Sequence, residues 1–562
     1  MKLVYDINDK PPVGKLIVLA IQQLLAILAA TIAVPTIIGL PAQIPAAILG
    51  AGVGTIVYLL FTRFKSPVFL GSSFAFINSL AGAMAFGYLG IIVGAIFAGL
   101  VYVIIAVVIH FAGTKWVSKL MPPVIIGPTV ALIGLSLAGS AMTDIVKADA
   151  DAVNGAYNLV GLLCGLVAFF TVVICSGQKR YKTLKLIPFI LGIGAGYAVA
   201  GIFSAFGYGF EVDYLKIINF DPLINNFVDA AGNFRGVVAF LNYPDFALIE
   251  AIKEIASGTS SIEDAVILNG HGVAEVALAF IPVAFVVFAE HIADHKNLGS
   301  IIDRDLVEGE PGLKRTLLGD GVGSIAGTVL GICPNTTYGE SVGCVAITGN
   351  ASVRTILVTA IMCIVLSFVT PVMTLLQTIP KAVMGGICLT LYGFIAVSGL
   401  KMFKDIDLGE NKNLFVVSAI LIAGIGGLSI QIPYHISAAN VVTEVYVNGV
   451  LDTSASATAY AGLVDKSITV TSIATALILG IITYAIMNKI DRSKFGDGAE
   501  AEETSGDSLP AAAVSATVPL GAEEQAEKAD YECNDEEPAC DACAAEEEPA
   551  TADQTQESPA ED

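Results

Sequence analysis

Two glutamates stand out because they lie inside apolar stretches of the sequence. Glu290 follows the apolar run 273–288, and Glu340 lies fifty residues later. A carboxylate in a transmembrane segment costs roughly 2.5 to 3.5 kcal/mol on insertion scales, so it normally faces a cavity, a partner or a substrate. No Lys or Arg lies within 274–292 or 317–351, so no neighbouring cation in the sequence explains either glutamate as half of an ion pair. We therefore expect both carboxylates to bind a substrate.

Other ionisable residues lie close to these two in the sequence. Asp294 is one helical turn beyond Glu290, and Asp320 lies between two glycines; each suits either a proton relay or a solvated helix end. His291 and His295 follow Glu290 as Glu-His-x-x-x-His, which is not the His-Glu-x-x-His pattern of zinc proteases. We expect no metal, no cofactor and no catalytic residue, and hence a protein that is not an enzyme.

The composition predicts a polytopic helical membrane protein. The 562 residues are 55% hydrophobic and 14% charged, and apolar runs recur near the roughly 20 residues that cross a bilayer. Solid runs such as 91–111 are not the alternating ten-residue segments of a β-barrel.

The net charge of −22 describes mainly the C-terminal end. Residues 497–562 carry 21 of the 51 acidic groups and one basic residue, Lys528. This segment has few large apolar residues, so we expect a disordered acidic tail on the cytoplasmic side of a transporter body that spans 1–496. A lone Cys540-x-x-Cys543 in it is a weak metal or redox signal.

The apolar segments number fourteen, seven before and seven after a long loop over 207–272. With both termini in the cytoplasm, Lys and Arg collect on the cytoplasmic side, as the positive-inside rule expects. We therefore expect a multi-pass protein of the cell (plasma) membrane.

The two halves also resemble each other. Pro122-x-x-x-x-Gly127 opens the fifth span and Pro380-x-x-x-x-Gly385 the twelfth, while polar, Gly/Pro-interrupted stretches interrupt spans three and ten. Because seven is odd, the second half is inserted upside down. A 7+7 inverted repeat with two broken helices is typical of secondary transporters, whose site lies at the membrane midplane.

The interrupted stretches run from Gly71 to Phe74 and from Pro334 to Gly339. Non-helical backbone at membrane depth survives only when buried in protein or lining a cavity, so we expect short extended segments there that frame a pocket. Free N–H groups, two carboxylates and flat aromatic side chains suit a small planar ligand with N–H and C=O edges.

Several of these strings resemble one family. Phe288-Ala-Glu-His291, Asn335-Thr-Thr-Tyr-Gly-Glu340 and Gly343-x-x-x-x-Thr348 resemble the nucleobase–ascorbate (uracil–xanthine) transporter family, most closely its bacterial uracil permeases. The resemblance runs from Pro11 to about Lys489.

The resemblance implies a core domain of spans 1–4 and 8–11 (13–111 and 273–377) and a gate domain of spans 5–7 and 12–14 (121–206 and 382–488). It also implies a homodimer formed through the gate domain. Nucleobase, protons and lipid bilayer would be the partners, with no nucleic acid. By matching position, the base would be bound by these residues: Glu290, Glu340, backbone at Phe74 and Gly339, and the lining residues Tyr338, Ala30 and Tyr392.

The resemblance implies proton-coupled uptake of a nucleobase, with uracil favoured by the Tyr-Gly-Glu340 string. Uracil permeases typically carry a coupling His where this chain has Asp294, with His295 next to it. An Asp there and at position 320 is more typical of xanthine transporters. Asp294, His295 and Asp320 are thus candidates for proton coupling. A xanthine or uric acid symporter is the alternative, and an anion transporter of the same architecture a more distant one.

Overall fold

The computed structural model describes residues 3–147, 157–178, 180, 184, 187–229, 231–262, 265–437, 446–447, 450–451 and 463–496. The acidic tail predicted for 497–562 and its cysteines lie outside these residues.

Helices dominate the described chain. Those of the first half are α1 (Val13–Ile37), α2 (Ile44–Phe61), α3 (Ile77–Met84), α4 (Gly87–Ala112), α5 (Lys115–Leu120), α6 (Pro123–Val146), α7 (Leu159–Gly177) and α8 (Pro188–Phe210). Those that follow are α9 (Asp221–Phe227), α10 (Ala247–Ser257), α11 (Gly270–Ile302), α12 (Leu313–Leu330), α13 (Gly339–Thr348), α14 (Val353–Ser367), α15 (Thr370–Gln377), α16 (Lys381–Lys401), α17 (Asn411–Ile425) and α18 (Ser472–Gly496).

The chain is a multi-pass membrane protein by the length and composition of these helices. Among the described residues, nine helices are long and apolar enough to cross a bilayer: α1, α2, α4, α6, α7, α8, α11, α16 and α18. The other predicted spans contain shorter or less apolar helices, among them α3, α12, α13, α14 and α17. The count of fourteen spans and their inverted repeat therefore stay predictions.

Local sequence explains several helix starts. Proline occupies the first or second position of α2, α6 and α8, where its missing N–H has no helical partner to lose. The Asn158 side chain caps α7 by accepting hydrogen bonds from the N–H groups of Val160 (2.9 Å) and Gly161 (3.0 Å). These caps satisfy backbone donors that would otherwise be left unpaired.

Two groups of helices pack among themselves. In one group α2 packs on α12 and α14, and α4 on α11 and α12; in the other α16 packs on α6 and α7, α7 on α8, and α17 on α18. Close approach needs small residues: a Cβ atom at Gly50 of α2 would lie 2.4 Å from the carbonyl oxygen of Gly327 in α12. The helices of each group are those that we expect in the core and gate domains, respectively; the division itself stays a prediction.

Spans three and ten are interrupted by strands, as the sequence predicts. Strand β1 (Leu70–Ser72) pairs antiparallel with β2 (Asn335–Thr337), with Leu70 opposite Thr337 and Ser72 opposite Asn335. Both strands are buried in the protein, and their backbones thereby satisfy each other's N–H and C=O groups.

A longer hairpin connects α17 and α18. It consists of β3 (Ile430–Ser437) and β6 (Leu463–Val470), paired antiparallel, and β6 packs against α11. Two short strands, β4 (Tyr446–Val447) and β5 (Val450–Leu451), also pair. Within the long loop between the two sets of seven segments, α10 spans Ala247–Ser257.

Candidate functional site

The β1–β2 pair forms the frame of the site. Beyond the strands, the N–H of Ser73 donates to the carbonyl oxygen of Pro334 (2.9 Å), and the N–H of Tyr338 to that of Phe69 (3.1 Å). The Tyr338 hydroxyl donates to the carbonyl oxygen of Ser72 at 3.0 Å. A Cβ atom at Gly71 would lie 2.2 Å from the Tyr338 ring, so only glycine leaves room for the ring against β1.

Glu290 and Glu340 come together from two helices. Glu290 lies in the middle of α11 and Glu340 in the first turn of α13, and both are half-buried. The two helices pack against each other, and Asp294, Glu340 and Asp320 all lie within electrostatic range of Glu290. Four carboxylates therefore share one region, and Glu340 lies where the unpaired N–H groups of a helix start favour a negative charge.

Asp294 is buried on the face of α11 that meets β2. Its Oδ2 accepts a hydrogen bond from the Thr337 hydroxyl at 2.8 Å, and a Cβ atom at Gly339 would lie 3.7 Å from its Oδ1. Asp294 therefore joins α11 to the junction between β2 and α13. Unlike the two glutamates, it is almost fully shielded from solvent, with 5% of its surface exposed.

Asp320 is bound by His291, a pairing that the sequence analysis missed. Nδ1 of His291 lies 2.7 Å from Oδ2 of Asp320, and Nε2 lies 3.0 Å from the Thr316 hydroxyl. All three side chains are fully buried. The only hint in the sequence is that His291 and Asp320 both lie within apolar helical segments.

His295 belongs to a second network, although it follows Asp294 directly. Its Nδ1 donates to the carbonyl oxygen of His291 (2.8 Å), which leaves Nε2 to face the Tyr58 hydroxyl at 2.8 Å; that hydroxyl also bonds to Ser66 at 2.7 Å. His295 and the exposed Lys296 line a cavity of about 510 Å³ at the end of α11. His295 thus connects the buried side of α11 with that cavity.

Aromatic residues bring the two helix groups into contact at the site. Phe74 begins a short 3₁₀ turn after β1, and its ring meets Tyr392 of α16 edge-on with 5.3 Å between centroids. Ala30 of α1 is fully buried, and its neighbour Thr31 interacts with Tyr338.

Ser341 joins three elements beside Glu340, and the sequence analysis did not predict this role. Its hydroxyl oxygen accepts hydrogen bonds from the Gln23 side chain (2.7 Å) and from the N–H of Phe69 (3.1 Å). Gln23 lies on α1 and Phe69 precedes β1, so the residue after Glu340 is fixed from two sides. A buried serine in an apolar stretch carries no signal that would have identified it.

The predicted residues thus fall into two sets. Glu290 and Glu340 remain partly open and are acceptors, whereas Asp294, His295 and Asp320 are buried and hydrogen-bonded to the protein. Among the described residues, Asp294 and His295 have different hydrogen-bond partners, and no hydrogen bond joins their side chains. The open carboxylates and the start of α13 offer both acceptors and donors to a polar ligand.

Comparison with known proteins identifies relatives over most of the chain. It is 37% identical over 434 residues to the uracil permease of Bacillus caldolyticus, covering 77% of this chain and 90% of the relative. It is 35% identical to the uracil permease of Bacillus subtilis (strain 168), with the same coverage.

Among solved structures, the fold is similar to that of the murine Solute Carrier 26 family member A9 anion transporter in the inward-facing state. The TM-score is 0.50 at 11% identity, covering 86% of this chain and 69% of that one. At this identity the likeness concerns the fold alone. The model of the xanthine–uracil permeases, described as "Permease family", matches residues 14–432, and the chain therefore belongs to this family of membrane permeases, as its motifs predict.

Proposed function

We propose that this permease is a secondary active transporter that takes up a nucleobase, uracil first, together with protons. The observation that carries the proposal is the contrast among the four carboxylates. Glu290 and Glu340 are half-buried, while Asp294 and Asp320 are buried with protein partners. The two Bacillus relatives, which are uracil permeases, support the same substrate class.

The chemistry of the ligand matches these groups. Uracil presents two N–H donors and two carbonyl acceptors in one plane. In the proposed complex Glu290 and Glu340 accept the N–H groups, and backbone N–H groups at Phe74 and Gly339 donate to the carbonyl oxygens. Leaving a charged acceptor unpaired in a closed site is costly, so a ligand without these N–H groups is disfavoured. Ala30, Tyr338 and Tyr392 line the remaining surface.

Coupling follows from the cost of charge in a closed site. A carrier that alternates between two sides must pass through states in which its carboxylates are shut off from water. A proton bound to a carboxylate removes the cost of its charge there. In the proposed cycle Asp294 exchanges this proton. His295, in its network with Tyr58, and Asp320, in its network with His291, lie beside Asp294.

The proposal includes the arrangement that the sequence predicts. Fourteen spans form a 7+7 inverted repeat in the plasma membrane with both termini in the cytoplasm, and two copies associate through the gate domain. The contact of Phe74 with Tyr392 supports a site between the core and gate domains.

Two alternative functions have different support. A xanthine or uric acid symporter is favoured by Asp294 and Asp320, which in the family resemblance are more typical of xanthine transporters. An anion transporter has support only from the likeness in fold. The carboxylates at the site disfavour an anion.

Uptake into proteoliposomes decides among these substrates. We expect labelled uracil to accumulate when a pH gradient is imposed, and excess unlabelled uracil to compete better than excess xanthine. Preferential accumulation of xanthine would assign the alternative instead. Uracil uptake that only equilibrates, with or without the pH gradient, would contradict proton coupling.

A further inference from the structure

A cavity of about 370 Å³ lies near the beginning of α11. One wall comes from α3 and α11, where Asn78 and Glu275 line it. The other wall comes from residues that follow α17 and begin α18, including Ser429 and Ser472. Small-molecule sites usually have about 300 to 1,000 Å³, so the cavity is large enough for a single small heterocycle.

This cavity is separate from the site around Glu290. Glu275 precedes Glu290 on α11, and their separation of fifteen positions corresponds to about 22 Å at the helical rise of 1.5 Å per residue. They also correspond to about four turns and 60° of rotation, so the two glutamates share one side of α11. A ligand that moves along this side meets Glu275 and Glu290 in succession.

Polar side chains line both walls of the cavity. The Ser79 hydroxyl donates to the carbonyl oxygen of Ala279 at 2.8 Å and so holds α3 on α11. On the opposite wall, Ser429, Thr471 and Ser472 contribute hydroxyl groups. Both walls of the cavity therefore offer hydrogen-bonding groups, as the polar positions of a small-molecule site do.

We propose that this cavity is a second binding site for the ligand class of the proposed function, a planar heterocycle with N–H and C=O edges. Glu275 accepts an N–H group, and the Asn78 amide and the Ser472 hydroxyl bind the carbonyl edge. Since the walls come from two helix groups, the site exists only while these groups keep their present relative position. It therefore loads the ligand on the way to Glu290.

The inference rests on the proposed function, and the experiment separates the two. Ser429→Cys, at a position that lines the cavity but is not one of the proposed contacts, is introduced into the full-length chain that also carries Glu290→Gln, so that the central site is disabled. The purified protein reacts with N-ethylmaleimide with and without uracil, and labelling of residue 429 is followed by peptide mass spectrometry. At uracil concentrations about ten times the dissociation constant of the cavity, occupancy slows labelling about tenfold.

Two further variants test the cavity itself. A Cβ atom at Gly82 meets nothing within 4 Å, so Gly82→Phe fills the cavity without a clash, and we expect it to abolish protection by uracil. Gly194→Phe on α8, where a Cβ atom also meets nothing within 4 Å, should leave protection intact. Labelling of Asn219→Cys, an exposed asparagine elsewhere, should not respond to uracil.

Equal labelling of residue 429 with and without uracil, in a protein whose wild-type form takes up uracil, overturns the second site and leaves the proposed function standing. Protection that survives Gly82→Phe likewise overturns it. Wild-type protein that takes up no uracil overturns the proposed function and this inference with it.

Discussion

The Thr337 hydroxyl donates a hydrogen bond to Asp294 at 2.8 Å and so joins α11 to the strand that leads into Glu340. His295, the next residue, instead contacts Tyr58 of α2 at 2.8 Å. The two neighbouring ionisable side chains therefore contact different parts of the protein. Asp294 responds to the junction of β2 with α13, and His295 to the cavity at the end of α11.

This division predicts separate effects on transport. Asp294→Asn keeps the shape and the contact with Thr337 but removes the exchangeable charge. We expect this variant to retain uracil binding and exchange of internal for external uracil, and to lose accumulation driven by a pH gradient. His295→Ala should be milder, because it leaves the Asp294–Thr337 bond in place. Proteoliposome uptake and counterflow measure both properties.

Asp303→Asn is the matched control, since Asp303 is exposed at the end of α11 in a left-handed conformation that Asn tolerates. It should accumulate uracil normally. If Asp294→Asn still accumulates uracil and His295→Ala does not, the relay belongs to the histidine.

The two half-buried glutamates should both be essential. Glu290→Gln replaces a charged acceptor of one N–H group of the base by a neutral amide, and Glu340→Ala removes the other acceptor. A hydrogen bond to a charged group contributes about 1.5 to 3 kcal/mol. We expect each to reduce uracil uptake at least about tenfold, the rate equivalent of about 1.4 kcal/mol. Glu308→Gln, at an exposed loop position, should have no effect. Near wild-type uptake by either site variant would contradict the assignment.

The sequence predicts the helices and the breaks well because both are local properties. Apolar runs mark the helices, and the polar stretches around Ser72 and Thr336 mark the breaks. The antiparallel pairing of these stretches is not predictable from periodicity, because the two partners lie in different halves of the chain. The sequence analysis also did not predict strands β3 and β6, which lie between two apolar helical segments.

At the site, the sequence identifies the charges and misses their partners. Glu290, Glu340, Asp294 and Asp320 are conspicuous because charge is rare in apolar segments. Neutral partners such as Tyr58 are ordinary in such helices, so nothing local marks them. Their roles depend on packing between elements that are distant in the sequence.

The His291–Asp320 pair should behave as one unit. Both side chains are fully buried and 2.7 Å apart, and removing one partner leaves the other buried without its hydrogen bond, at a cost of about 1 to 3 kcal/mol. His291→Phe and Asp320→Ala should each lower the melting temperature in detergent strongly. The double variant should lose less than the sum of the two losses. Strictly additive losses would show that the two side chains act independently.

Glu254 ties the long loop to the membrane helices. Its Oε2 accepts a hydrogen bond from the N–H of Tyr88 at 2.9 Å, and its Oε1 accepts one from the Ser260 hydroxyl. Tyr88 is the second residue of α4, so the carboxylate caps a helix start, where a negative charge is favourable. The preceding Gly87 has φ +67°, and a Cβ atom there would lie 2.5 Å from Oε2.

Glu254→Ala should therefore destabilise the protein. The N–H of Tyr88 and the Ser260 hydroxyl lose their acceptor while buried or half-buried, at a cost of about 1 to 3 kcal/mol. We expect a lower melting temperature in detergent and earlier proteolysis of the loop around α10. Lys253→Ala, on the same helix, removes only an exposed ion pair with Glu250, worth at most about 1 kcal/mol. If Lys253→Ala shifts the melting temperature as much as Glu254→Ala does, the cap contributes nothing beyond the general stability of α10.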